Sequence, residues 1–367
     1  MKKILLGVLA IAAMTGCMKE QAVRLGQSGA ITFGAPFIEK AHSSRAAVDP
    51  STTTGSISAF DVWGFMDQNT GVVFEQQRVV RTGSQANSDR GIWSYDPLAY
   101  WTPSHTYRFA ALAPVDNANI ELVLADNGKM SNQGELGTVT FTNTDGKVDL
   151  LYAQPDAITT GADIYTNAPV VNLRFNHLLS KVKFTFKNKF PSQHNSLEVT
   201  NITLKVPSKG SVDLTQTTRP YLWDIATAQS DITLSFGKAI NAVDATKGVS
   251  LGSGEAGECE FECLTLPVKS GTTIVPHLEL SFDVVLYQGD QEAIKKSTRT
   301  AKIVLDGTLK GLENGLQQGK GYRFNVELGP KNISDEELLE IKFNDVVVEE
   351  WDYEDFNAGE IETQPAI

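Results

Sequence analysis

Apolar and polar residues alternate along most of the chain with a period of two, in short runs closed by Gly, Asn, Asp or Pro. That rhythm places successive side chains on opposite faces of an extended strand, so each run predicts a half-buried β-strand. AITF (30–33), FDVWGF (60–65), YRFAAL (107–112) and VKFTFK (182–187) are the clearest cases. Helical spacing is scarce. A helix start is expected only at 332–339, where SDEE opens the segment, with a turn or two at 175–179. The pattern predicts an all-β fold of sandwich type with few short helices.

The rhythm loosens across 157–169 and restarts in VVNLRFNHLLSKVKFTFKN at 170–188. A chain of 367 residues exceeds one typical core, so two tandem sandwiches are expected, an N-terminal domain over 46–171 and a C-terminal domain over 172–367. Trp63, Trp93 and Trp101 are expected to cluster in the first, with Trp223 and Trp351 in the second. Their rings read as core or inter-domain packing.

The N-terminus changes where this chain must live. MKKILLGVLAIAAMTGC has two lysines, an apolar run from Ile4 to Met14, and small residues before Cys17. The run is too short to span a bilayer as a stable helix and has the shape of an export signal, expected over 1–16. Met14-Thr15-Gly16-Cys17 resembles a lipobox, the site where bacterial lipoprotein signals are cut before a cysteine that takes up diacylglycerol. Lipid on Cys17 would hold the domain on a membrane without a transmembrane helix.

The chain carries 32 basic and 44 acidic residues, net −12; without Lys2 and Lys3 the balance is 30 against 44, net −14. Such a charge repels nucleic acid and phosphate surfaces, so no nucleic-acid partner is expected. Cys259 and Cys263 lie four apart in CEFEC, roughly 13 Å along an extended strand, too far for a disulfide. They read as small buried side chains on one strand face, and further Cys or His partners for zinc are missing from the motif.

Catalytic constellations are not found. His42 and His194 sit in polar loops, His105 follows a turn, His177 reads as packed and structural, and His277 follows Pro276 at a strand edge. None has a metal-ligand partner at i, i+2 or i+4, and there is no G-x-S-x-G, Walker loop or H-E-x-x-H. Acidic pairs such as Glu258 with Glu260, or Asp352 with Asp355, read as solvated surface in so acidic a chain. No enzyme activity, cofactor or metal is expected.

FDVWGF (60–65), VFEQQ (73–77), WSYDPLAYW (93–101) and YRFAALAP (107–114) together resemble the N-terminal domain of fimbrillin-like lipoproteins, the Mfa-like type V pilus subunits of Bacteroidota. LRFNHLLSKV (173–182), YRFNV (322–326) and VVVEEW (346–351) are similar to that family's second half. The resemblance implies two transthyretin-like sandwiches, display on the outer membrane as a lipoprotein, and a fimbrium whose subunits join by strand exchange. The physics is strand addition: an incomplete sheet offers unpaired backbone groups and an apolar groove, and a neighbour's strand completes both.

The resemblance further implies that an arginine-specific protease cuts after an early arginine and releases the first strand. Arg45, in the polar stretch KAHSSRAAVDPSTTTGS (40–56), is the matching position, with Ala46 after the cut and a propeptide-like segment at 17–45 before it. Ala30-Ile31-Thr32-Phe33 and Phe37-Ile38 supply a first strand to release. The sequence after Trp351, DYEDFNAGEIETQPAI, departs from the donor extension of stalk subunits, being acidic and interrupted by Pro365. A tip or accessory subunit in cell adhesion fits it better. The alternative is a surface lipoprotein that never polymerises and binds a host glycan or protein. Tyr221-Leu222-Trp223 is its candidate loop, readable equally as a buried strand start.

Overall fold

The computed structural model describes residues 29–34, 36–38, 57–67, 71–85, 88–164, 167–188, 195–216, 219–225, 232–237, 250–251, 259–269, 277–288, 295–304, 310–328 and 346–350. All regular structure in them is β. The expected turn at 175–179 is instead strand followed by a bend. The reason is visible in its burial: Phe175 and His177 point inward while Arg174 points out, a period of two rather than 3.6. The expected helix at 332–339 lies outside the described residues.

The first half is organised on an eight-stranded sheet. β3 (Ala59–Met66) is flanked on one side by β4 (Gly71–Gln85) and then β5 (Ser88–Ser94), and on the other by the central β6 (Thr106–Ala113), then β9 (Leu151–Ala153) and β12 (Arg174–His177). β10 (Ile158–Thr159) adds to β6, and β2 (Phe37–Ile38) closes the sheet beyond β12. A separate pair joins β1 (Thr32–Phe33) to β11 (Val170–Val171).

Both faces of this sheet are covered, which is why β3 and β6 are buried almost continuously along their length. Phe60 and Val62 of β3, with Tyr107, Phe109 and Ala111 of β6, face one core; Trp63, Ala110 and Leu112 face another. Trp63 therefore does not cluster with Trp93 and Trp101, because its odd register on β3 turns it to the opposite side.

That second face packs against a four-stranded sheet built from both halves of the sequence: β7 (Ile120–Leu124), β8 (Gly137–Thr142), β15 (Lys209–Asp213) and β16 (Trp223–Ile225). β8 and β15 run antiparallel from Lys209 opposite Thr142 to Asp213 opposite Thr138. Val139, Phe141 and Val212 point from it into the shared core, with Leu178, Leu179, Leu264 and Leu266.

The second half is a two-sheet sandwich. One sheet orders β19 (Cys259–Thr265), β13 (Ser180–Asn188), β22 (Lys320–Leu328) and β23 (Val347–Glu350). The other orders β17 (Ile232–Gly237), β14 (Asn195–Val206), β20 (His277–Gln288) and β21 (Lys295–Val304), with β18 (Ser250–Leu251) on β14. Val182, Phe184 and Phe186 of β13 meet Ile202, Leu204, Leu280 and Phe282 in one core. Phe184 stacks on Phe324 at 4.9 Å, and Phe186 meets Phe282 edge-on at 4.9 Å. Cys263 is free and buried on β19, and burial holds its thiol above the ordinary range.

Candidate strand-exchange groove

Residues 29–38 form a slender insert between two neighbours. On one side Ile31 N donates to Ala99 O at 2.9 Å, Trp101 N donates to Gly29 O at 2.8 Å, and Ala30 bridges Tyr100. On the other, β1 runs parallel to β11, with Thr32 opposite Val170 and Phe33 opposite Val171, and Gly34 N donates to Val171 O at 2.9 Å. β2 continues parallel to β12, with Phe37 opposite Arg174 and Ile38 opposite Phe175. The insert belongs to the first strands of the chain, yet it is paired with residues 170–175.

The side chains explain why so short a strand stays in place. Ile31 and Phe33 point inward and Thr32 outward, the alternation visible in AITF. Phe33 meets four rings: Phe60 at 5.7 Å, Phe74 at 5.9 Å, Tyr95 at 5.7 Å and Phe109 at 6.4 Å. Ile38 is buried in the same core. Taking the insert away would bare those four rings together with the backbone groups of Ala99, Trp101 and Val171.

Two residues hold the walls: Tyr95, which the sequence did not single out, and Trp101, read there only as a packing ring. The Tyr95 hydroxyl donates to Ile31 O at 2.7 Å, and burial pushes its pKa up to about 12. The Trp101 indole donates to Pro169 O at 3.1 Å, tying the 93–101 wall to the β11 wall. WSYDPLAYW contains both, but a partner some 64 or 68 residues away has no local signature.

The frame around the groove is pinned by ion pairs. Arg78 on β4 bonds Asp61 on β3 at 3.0 Å and also Asp116 beyond β6, which raises its pKa and lowers that of Asp116. Thr106 N donates to Asp67 at 2.9 Å, and His105 Nδ1 lies 3.1 Å from the same oxygen; these contacts hold the Asp67 carboxyl below its usual range. His177 is packed as expected, with Nδ1 3.0 Å from Asp149. No group of three or more His, Cys, Asp or Glu side chains converges among the described residues. No helix among them is long and apolar enough to cross a membrane. Cys17, Arg45 and Ala46 lie outside the described residues.

A family model described as fimbrillin-like matches residues 44–351. The chain belongs to the fimbrillin-like family. This fimbrillin-like chain is accordingly a pilus-related adhesion protein of the cell surface, from a family of adhesion subunits rather than enzymes. No curated protein sequence matches it. Among solved structures it is similar to a candidate cell adhesion protein from Bacteroides uniformis, at 12% identity and TM-score 0.49, covering 88% of this chain and 98% of that one. A candidate cell adhesion protein from Bacteroides ovatus shares 14% identity at TM-score 0.45, with 88% and 98% covered. The fimbrial anchor protein Mfa2 from Porphyromonas gingivalis shares 9% identity at TM-score 0.34, with 88% and 96% covered.

Proposed function

We propose that this fimbrillin-like chain is a tip or accessory pilus subunit, carried to the outer membrane by lipid on Cys17. An arginine-specific protease cuts between Arg45 and Ala46, the segment 17–45 leaves, and a strand from a neighbouring subunit fills the slot. The observation that carries this reading is the insert at 29–38: it plugs an aromatic core yet pairs in parallel through strands of only two residues. Parallel pairing makes no demand for a tight hairpin, so another chain's strand can satisfy the same backbone groups. Burying Ile31, Phe33 and Ile38 is worth on the order of 5–9 kcal/mol at the usual value per large apolar side chain, enough to make strand replacement strongly favourable once the slot is open. Before the cut, the insert blocks premature assembly. The tip or accessory role rests on the residues after Trp351, which are acidic and include Pro365, a residue that cannot donate to a sheet ladder.

Filaments sheared from cells and resisting SDS should contain the protein with Ala46 as its first residue, whereas the membrane-bound precursor begins at Cys17. Arg45→Ala should remove the protein from those filaments. Assembly of Arg45→Ala at the wild-type level would reduce the 40–56 stretch to a linker. The second reading, a non-polymerising surface lipoprotein that binds glycan or host protein, is favoured by a cavity in the second half.

A further inference from the structure

Beside Trp223 lies a cavity of about 160 Å³ with two rigid walls. The first is Pro220, Leu222 and Trp223, where the chain enters β16. Tyr221 turns inward and is buried, Leu222 is 56% exposed, and the Trp223 indole donates to Leu178 O at 2.9 Å, which fixes its ring. The second wall is the loop before β22. Leu316 and Val268 exchange two backbone hydrogen bonds of 2.8 Å, Gln317 N donates to the Tyr322 hydroxyl at 2.7 Å, and Ser180 donates to Gln317 O at 2.7 Å. Both walls are thus held by bonds within the protein, and the cavity is formed in advance of any occupant.

The chemistry of the lining is specific. Asn314, Gln317, Gln318 and Lys269 are its polar lining residues, so three carboxamide side chains and one ammonium border it and no carboxylate takes part. Carboxamides donate and accept at once, which matches hydroxyls that do the same. A purely apolar ligand would leave them unpaired, and a metal cation would find no anionic ligand. An anionic ligand would meet the field of a chain of net charge −12, opposed by one lysine.

We propose that this cavity is a subsite for one neutral sugar ring of a glycan, its apolar face against Trp223 and Leu222 and its hydroxyls on the carboxamides of Asn314 and Gln317. The volume suits a single ring and falls short of the ~300 Å³ at which drug-sized pockets begin. A ligand of about a dozen heavy atoms with ordinary efficiency binds with Kd on the order of 1 mM, so display of many copies on a surface is what makes such a site adhesive. The site is intact in the uncut monomer, and its test is independent of strand exchange.

Saturation-transfer NMR on the purified full chain, with glucose, galactose, mannose, fucose, N-acetylglucosamine, N-acetylgalactosamine and sialic acid as probes, reads binding directly. At least one neutral sugar should show transfer. Gln317→Leu, which keeps the volume and removes the carboxamide, should reduce that transfer at least fivefold, and Asn314→Ala, at an exposed position, should reduce it without any change in Tm. Absence of transfer from every neutral sugar, transfer confined to sialic acid, or transfer unaltered in both variants would overturn the proposal.

Discussion

Phe33→Ala separates a removable plug from an integral piece of core. Phe33 is only 7% exposed and touches four aromatic rings, so truncation costs about 3–5 kcal/mol, the range for buried Phe→Ala, part of it from ring pairs worth about 0.5–1.5 kcal/mol each beyond burial. Where that cost falls is the informative quantity. If residues 29–38 open as a unit while the rest stays folded, the loss lowers the energy of that opening and leaves unchanged any opening of the second half in which Phe33 stays seated. At about 1.4 kcal/mol per decade, exchange of the amides that hold the insert then rises by about two to three and a half decades. The reporters are Ile31 N, bonded to Ala99 O, and Gly34 N, bonded to Val171 O. Amides of β13 and β22, whose core has no contact with Phe33, should exchange at the wild-type rate. Native-state hydrogen exchange followed by mass spectrometry on short peptides resolves the two groups. Equal acceleration in both would refute the reasoning, because the insert would then be lost only with the whole fold, and a protease cut could not free it.

Tyr95→Phe deletes the hydroxyl bonded to Ile31 O and should cost about 1 kcal/mol, read as a lowered urea midpoint with an unchanged m-value. Asp67 has a folded pKa below its unfolded value, so its contribution is complete above about pH 4 and disappears as pH falls through the folded value. Asp67→Asn should therefore flatten the acid limb of a stability–pH curve below about pH 4, and an acid limb identical to wild type would exclude the linkage. Limited proteolysis should cut within 157–169, in keeping with a proposed division near residue 172. The two fragments should still co-elute, because β8 and β15 stay paired across that division; first cleavage inside 182–186 would contradict the division.

The strands were legible because burial on one face writes itself into a period of two, as in AITF, VKFTFK and YRFNV. Where both faces are covered the signal changes: YRFAALAP starts as an alternating strand but continues after Arg108 as the apolar run FAALA, and only the structure shows that Phe109 and Leu112 serve different cores. The run FNHLL was ambiguous for the same reason that any short apolar cluster is, and its pairing with β9 decided for strand. Long-range partners were not legible at all. Nothing local to Thr138–Thr142 announces Lys209–Asp213, and nothing in Tyr95 announces Ile31. Of the candidate site, the plug strand could be read from its alternation, while the clamps on either side of it could not.

Force offers a reason for the sheet that both halves share. A neighbour's strand seated in the slot would pull on β11 and β12, and β12 leads through Leu178 and Leu179 straight into β13 at the heart of the second sandwich. That connection is braced from several directions. Leu178 N donates to Leu150 O at 2.9 Å, the Trp223 indole holds Leu178 O, and Gly319 N donates to Leu179 O at 2.8 Å. Both leucines are buried in the core beneath the sheet of β7, β8, β15 and β16. Tension entering at the slot therefore does not pass through a bare linker. It spreads into hydrogen bonds contributed by the backbone of residues 150 and 319 and the indole of Trp223, and into the β8–β15 ladder, so that moving one half from the other means breaking several hydrogen bonds and a common core together. A subunit that carried load along a fibre would need that arrangement at the point where a donor strand attached, and a free-standing binding module would not.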